Sequence, residues 1–182
     1  MAHIDLQSFS GVKLFEKKQH DSALGHFTNL FEQNWLDASF VQDSISSCDY
    51  KGTIKGFHFQ RSPFDQAKLV SVLQGSILDI FIDLRKASDT FLDHGSINLK
   101  EGNSHIIFLP RGFAHGYITL ENQTVIHYKL DNFYSTEHEE TVLWKDNSLD
   151  IEFPKMDDYH LSSKDQKGST IKELSSKGAF YE

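Results

Sequence analysis

The chain of 182 residues carries a single cysteine, Cys48, so no disulfide can form within it. One free thiol suits a reducing compartment, and a cytoplasmic location is the expectation. Proline is scarce, at three residues against fifteen Phe and six Tyr, which argues against disorder and for an aromatic-rich core. Positive charge is in deficit: 18 Lys and Arg face 26 Asp and Glu, for a formal net charge of −8. A broad basic surface for nucleic acid is therefore not expected, although one local basic pocket for a phosphate is compatible with that balance. No apolar run comes near the roughly 20 residues that a membrane span needs, so no membrane partner is expected. The opening stretch MAHIDLQSFSGVKLF has no basic segment followed by an apolar one, and no secretory signal is read there. Repeats, low-complexity tracts and linkers are also lacking, and the length suits one domain over 1–182.

What is present is a succession of short β-rich runs. Residues 67–84, AKLVSVLQGSILDIFIDL, hold two such runs around QGS. In the second, Ile77, Asp79, Phe81 and Asp83 fall on one face and Leu78, Ile80, Ile82 and Leu84 on the other. Further runs follow at HIIFLP (105–110), HGYITL (115–120) and TVIHYKL (124–130), with turn signals between them. A spacing of about 8–12 residues is that of a sandwich or barrel. Two short helices are expected, one within 22–33 and one within 162–174, the second capped by Ser162 or Ser163. The pattern predicts an all-β jelly roll of two antiparallel sheets with short helices at the ends.

Several groups in these runs could carry chemistry. In KGFHFQ (55–60) strand alternation puts Phe57 and Phe59 on one face and His58 on the other. His58 then either faces a cavity or is a hydrogen-bonded interior histidine. Lys68 stands between Ala67 and Leu69-Val70 in a run suited to burial. Buried lysines are rare unless paired. Lys68 either snorkels from an edge strand or presents an ammonium that stabilises an oxyanion or a phosphate. The turn FLPRGFAHGY (108–117) delivers His115. His58 and His115 are too few ligands for zinc, iron or manganese, and His105 and His127 have no matching spacing, so no metal is expected. Tyr128 and Tyr134, in VIHYKLDNFYS (125–135), are either sheet aromatics or proton donors. Asp165, in LSSKDQKG (161–168), is either a turn or cap residue or the carboxylate that orients a histidine.

Taken in order, KGFHFQ, QAKLV and the IDLR run within 55–91, then LPRGFAHGY (109–117), YKLDNFYSTEHE (128–139) and LWKDNSLDIEFP (143–154), resemble the dTDP-4-dehydrorhamnose 3,5-epimerase family. The likeness extends from about Gly11 to Gly168. It implies a metal-free cupin jelly roll without a cofactor, and a homodimer that exchanges N-terminal strands. Metal-binding cupins carry H-x-H where this chain has HFQ, with Gln60 at the second histidine. By resemblance His58 is the general base, Asp165 its orienting partner, Lys68 the cation at the keto oxygen and Tyr128 the proton donor on the opposite face. His115 would line the pocket near the sugar or diphosphate. Gln42, Lys55, Gln60, Phe27 and Asn29 fall at the remaining substrate-binding positions.

Some of these positions depart from the family pattern. Lys55 stands before the glycine where the family usually has arginine, so a point charge replaces a bidentate fork. In DSALGHF (21–27), Leu24 occupies another arginine position, and Thr28 and Asn29 stand where an acid follows in the family. The implied activity is inversion at C3, C5 or both of a nucleotide-linked 4-keto-6-deoxyhexose, most simply dTDP-linked. Hydrogens beside a C4 ketone are acidic enough only if the enolate is stabilised, and inversion needs a base and an acid on opposite faces. A single-carbon epimerase on another nucleotide sugar and a non-catalytic nucleotide-sugar-binding cupin are the other readings.

Overall fold

The SILDIFID run forms strand β7 (Ser76–Asp83), and in the computed structural model every one of its residues is buried. A strand buried on both faces needs a layer on each side. The structure describes residues 8–102 and 105–182 and supplies those layers. One sheet runs β1 (Lys13–Glu16), β9 (His105–Leu109), β6 (Lys68–Gln74), β11 (Thr124–Leu130), β4 (Gln42–Cys48). The facing sheet runs β12 (Glu139–Thr141), β5 (Thr53–Gln60), β10 (Phe113–Thr119), β7, β8 (His94–Lys100). Neighbours along both orders are antiparallel, and a short β13 (His160–Leu161) joins β5 in parallel. This is the two-sheet jelly roll that the strand spacing predicts, of the cupin type that the family resemblance implies.

The alternation along β7 separates two cores. Ile77 and Phe81 point between the sheets, where they meet Phe9, Leu99, Leu109, Phe113 and Ile126. Leu78, Ile80, Ile82 and Leu84 point outward and pack under the C-terminal segment, against Leu149, Ile171, Leu174 and Phe180. Each such side chain contributes about 1.5–3 kcal/mol when fully buried. A third, smaller cluster covers the outer face of the first sheet, where Leu69 and Ile106 meet Leu36, Phe31 and Trp35.

The expected helix within 22–33 is not formed. Gln19–Ser22 and Gly25–Thr28 pair instead as a hairpin, β2–β3, and the nearest helical turn is a 3₁₀ turn at Gln33–Trp35. Turn chemistry overrides the apolar spacing there: Gly25 sits at φ +140°, a region L side chains rarely adopt. The helix expected within 162–174 is present as two pieces, α1 (Ser163–Gln166) and α2 (Ile171–Ser176). Ser162 caps the first, and Thr170 with Glu173 forms a capping box on the second. Between them Gly168 passes so close to Leu143 that a Cβ would lie 2.8 Å from the Leu143 Cα, which breaks the helical path.

One irregularity shapes the interior. His115 pairs with His58, but two residues on Tyr117 pairs with Lys55, so β5 holds one extra residue between these pairs. The bulge falls at Gly56 and Phe57. Gly56 has φ +119°, and a Cβ there would lie 2.5 Å from the Gly116 Cα. Strict alternation would place Lys55 and His58 on opposite faces. The bulge instead turns Lys55, His58 and Gln60 into the barrel while Ile54, Phe57 and Phe59 all join the outer core. Gly56→Ala is expected to cost about 2–4 kcal/mol, from a left-handed conformation plus backbone overlap. Chemical denaturation of the two proteins measures it, and an unchanged midpoint would contradict the close approach.

Candidate active site

Apolar side chains fill the space between the sheets on the side of β7, β8 and β9. On the side of β4, β5, β6, β10 and β11 a cavity remains. It has two lobes of about 210 and 170 Å³, and His58, Lys68 and Tyr128 line both. Lys68 and Val70 alternate inward along β6, as Ile126 and Tyr128 do along β11. The facing wall is β5 and β10, with Lys55, His58, His115 and Tyr117.

His58 Nε2 lies 2.7 Å from Asp165 Oδ1. Asp165 sits in α1, where its backbone N–H donates to the capping Ser162 hydroxyl and its Oδ2 accepts from the same hydroxyl at 2.6 Å. The bulge N–H of Gly56 also donates to Asp165 Oδ1, at 3.3 Å. Burial pushes the Asp165 carboxyl up, but hydrogen bonds from His58, Ser162 and Gly56 outweigh it and hold it below the usual range. An ionised carboxylate can only accept, so the shared proton resides on His58 Nε2 and Nδ1 keeps the lone pair. The N-cap is Ser162, not Asp165, which lies in the first turn and turns its carboxylate to His58.

Lys68 Nζ donates to the His58 carbonyl oxygen at 3.0 Å. Desolvation pulls its ammonium down to about 8, against a smaller upward pull from Glu139 and Asp79. It remains mostly charged at neutral pH. On the same wall as Lys68, across the cavity from His58, burial, and then the neighbouring Tyr117, push the Tyr128 phenol well above its ordinary value, so it is a protonated donor. A second histidine–carboxylate pair lies behind: His115 Nε2 is 2.7 Å from Asp79 Oδ2. The two pairs differ in access, since the His58 side chain is 28 % exposed and that of His115 4 %. Only His58 offers a nitrogen that a bound molecule can reach freely.

The remaining sequence candidates divide. Lys55 lines the cavity and donates to Ser46 Oγ at 2.8 Å. Gln60 lines the second lobe, but its amide is engaged with the backbone of Phe64, Phe133 and Ser135, so it shapes the wall by pinning two loops. Gln42 donates to Ser44 Oγ on the inward face of β4, beside the cavity. Tyr134 does not continue the Tyr128 strand face, because β11 ends at Leu130; its hydroxyl donates to Glu139 at 2.6 Å at the rim of the second lobe. Phe27 and Asn29 are not brought to this cavity within one chain. Phe27 is exposed on the hairpin, and Asn29 faces a separate pocket with Phe15 and Trp35. Sequence reasoning passed over Ser46, Asp79 and Tyr117. An acid inside the otherwise apolar β7 pattern was the available signal for Asp79; nothing local marked the other two. Among the described residues no three His, Cys, Asp or Glu converge as a metal-binding group, and no helix is long and apolar enough to cross a membrane.

Fold and cavity together define a cupin-type jelly roll equipped for proton transfer, with a carboxylate-held imidazole, a partly desolvated ammonium and a facing phenol. A family model described as dTDP-4-dehydrorhamnose 3,5-epimerase matches residues 7–173. The chain belongs to that family. The dTDP-4-dehydrorhamnose 3,5-epimerase of Sinorhizobium fredii is 37 % identical over 172 residues, covering 92 % of this chain and 88 % of that protein. Among solved structures, the Bacillus anthracis enzyme with TDP and PPi bound is 38 % identical, with a TM-score of 0.85 over 89 % of this chain and 95 % of that one. The Legionella pneumophila enzyme in complex with dTDP-4-keto-L-rhamnose is 30 % identical, with a TM-score of 0.88 over 99 % and 95 % of the two chains.

The depressed value of Lys68 has a consequence for stability. Below pH 8 both folded and unfolded chains are protonated there, and the folded state carries the whole cost of the desolvated cation. Between about 8 and the ordinary 10.5 the unfolded chain binds the extra proton, so that cost fades as pH rises. Lys68→Met is expected to stabilise the fold by about 1–3 kcal/mol at pH 7, with the gain shrinking toward pH 10. Denaturation midpoints at the two pH values read this out; a destabilised variant at pH 7 would refute the assignment.

Proposed function

We propose that this protein is an epimerase that inverts C3 and C5 of a dTDP-linked 4-keto-6-deoxyhexose, converting dTDP-4-dehydro-6-deoxyglucose to dTDP-4-dehydrorhamnose. The observation that carries this reading is the His58–Asp165 pair at 2.7 Å on one wall of a cavity whose other wall holds Tyr128. His58 Nδ1 removes the proton beside the ketone. The negative charge moves to the C4 oxygen, where the Lys68 ammonium compensates it in a site of low dielectric. Tyr128 then returns a proton from the opposite face, and the carbon is inverted. His115, held by Asp79, closes the back of the site, and Lys55 supplies positive charge for the diphosphate.

The same reading takes the protein as one cupin domain and a cytoplasmic homodimer that exchanges N-terminal segments. The hairpin β2–β3 supports this. Leu24 is 100 % exposed at its turn, and Phe27 is also uncovered. Such apolar groups gain from a partner surface, and a partner's cavity would bring Phe27 and Asn29 to the nucleotide. With Leu24 and Lys55 at two positions where arginine is usual in the family, nucleotide binding rests more on stacking and less on bidentate phosphate contacts.

Incubation with dTDP-4-keto-6-deoxyglucose in deuterated water tests the activity. Deuterium at both C3 and C5, with inversion, is the expected outcome. Label at one carbon identifies a monoepimerase, and label at neither sinks the reading.

The roles separate by mutation. His58→Ala is expected to lower exchange and inversion together by roughly 10²–10⁴, the contribution of a positioned general base. Tyr128→Phe keeps the ring and is expected to retain exchange while impairing inversion, most at C5. Nuclear magnetic resonance of the sugar protons follows both events, and a Tyr128→Phe enzyme with normal inversion contradicts the donor assignment.

A further inference from the structure

Tyr128 is half-buried on the cavity wall, and a donor that serves two carbons of one bound sugar must recover its proton between the two events. A sugar seated across the open side of the cavity would cut that hydroxyl off from direct contact with bulk water. A chain of polar groups leads away from it along the cavity wall. The Tyr128 and Tyr117 phenols line the same lobe of the cavity and interact there. The Tyr117 hydroxyl, on a residue only 3 % exposed, is 2.9 Å from Ser46 Oγ and 3.5 Å from the Cys48 thiol. Ser46 Oγ accepts from Lys55 Nζ at 2.8 Å. These groups come from four strands, β11, β10, β4 and β5, and phenylalanine at 117 would fill the same apolar surroundings without a hydroxyl. Cys48 is a weak donor at the longer distance and a dead end.

We propose that Tyr117, Ser46 and Lys55 form a proton relay that recharges Tyr128 while the sugar stays bound. The inference rests on the epimerase reading and on Tyr128 as donor. A lysine ammonium can only donate, so the Ser46 oxygen accepts from Lys55 and its own proton is free for Tyr117. When Tyr128 protonates the enolate carbon, its O–H bond breaks as the new C–H bond forms. The Tyr117 proton then passes to the Tyr128 oxygen, the Ser46 proton to the Tyr117 oxygen and a Lys55 proton to the Ser46 oxygen. The Lys55 amine takes a proton from solvent, and the proton that His58 removed from the sugar returns to solvent, so charge and protons balance over a turnover. The other titratable groups facing Tyr117 and Tyr128 are Lys68, His115 with its partner Asp79, and Cys48. Asp79 holds His115 through one carboxylate oxygen and Lys68 donates to the His58 carbonyl, and neither is bonded to the Tyr117 hydroxyl, which leaves the serine path as the connected one.

The test uses full-length wild-type, Tyr117→Phe and Ser46→Ala proteins in excess over dTDP-4-keto-6-deoxyglucose in deuterated water, with each carbon followed by rapid quench and mass and proton spectra. Tyr128 starts protonated, so in both variants the first inversion should be slowed less than the second. The second should slow about tenfold, short of the 10²–10⁴ expected for losing the donor itself, and singly inverted sugar should build up. Two results overturn the relay: unchanged rates at both carbons, or a first inversion slowed as much as the second. Should the wild type invert one carbon only, the comparison moves to the first against later turnovers, with the same two overturning results. A wild type that neither exchanges nor inverts fails the epimerase reading instead, which separates that failure from a failure of the relay.

Discussion

The close passage of Gly56 against Gly116 governs the rest of the site. Two strands of a sheet cannot approach so closely if either carries a side chain at these positions, since a Cβ on Gly116 would also lie 2.7 Å from the Lys55 carbonyl oxygen. That approach permits the bulge in β5, and the bulge has two effects. It turns Lys55 and His58 to the same side of the sheet, three residues apart. It also frees the Gly56 N–H from the ladder and points it at Asp165, the carboxylate that orients His58. Imidazole, ammonium and carboxylate are thus placed by one backbone irregularity, and the C-terminal segment that carries Asp165 is tied to the sheet at that point.

Around this irregularity the interior divides into two halves with different physics. The half near β7, β8 and β9 is closed by Phe9, Phe81 and Phe113, whose rings meet edge to face, and it holds the sheets together. The other half contains titratable groups. Asp165, Asp79, His58, His115 and Lys68 sit within a protein interior, where an unpaired charge costs several kcal/mol. The two acids each have a histidine, which limits that cost, but Lys68 has only a neutral carbonyl, and one oxygen of Asp79 has no partner. A site held in this state is destabilising by itself and depends on the apolar half for its order. The same low dielectric that makes Lys68 costly makes it effective against a developing oxyanion.

The strand pattern was largely legible. The alternation of β7, the paired strands around QGS and the β-rich runs through 130 all correspond to strands, because period-two burial is a local property of a two-sided sheet. The segment 22–33 was misread as helix, since apolar spacing over a few residues does not separate a helix from a hairpin whose turn depends on one glycine. Of the site, Lys68 was conspicuous as a cation in an apolar run and His58 as a histidine between phenylalanines. Tyr117 and Ser46 were not, because a tyrosine or serine in a strand carries no mark of what lies across the barrel from it.

By itself the sequence determined the class of fold, the family, the candidates His58, Lys68, Tyr128 and Asp165, and the excess of acidic over basic residues. Each follows from residue types at fixed spacing, which folding does not change. Only the tertiary structure decided that Lys55 and His58 share a face, that Asp165 of α1 reaches a histidine 107 positions earlier in the chain, and that Tyr117 stands between Tyr128 and Ser46. These relations join strands from both sheets. They depend on a bulge, a register and a helix cap that arise when the sheets close on one another, and no local window of sequence contains them.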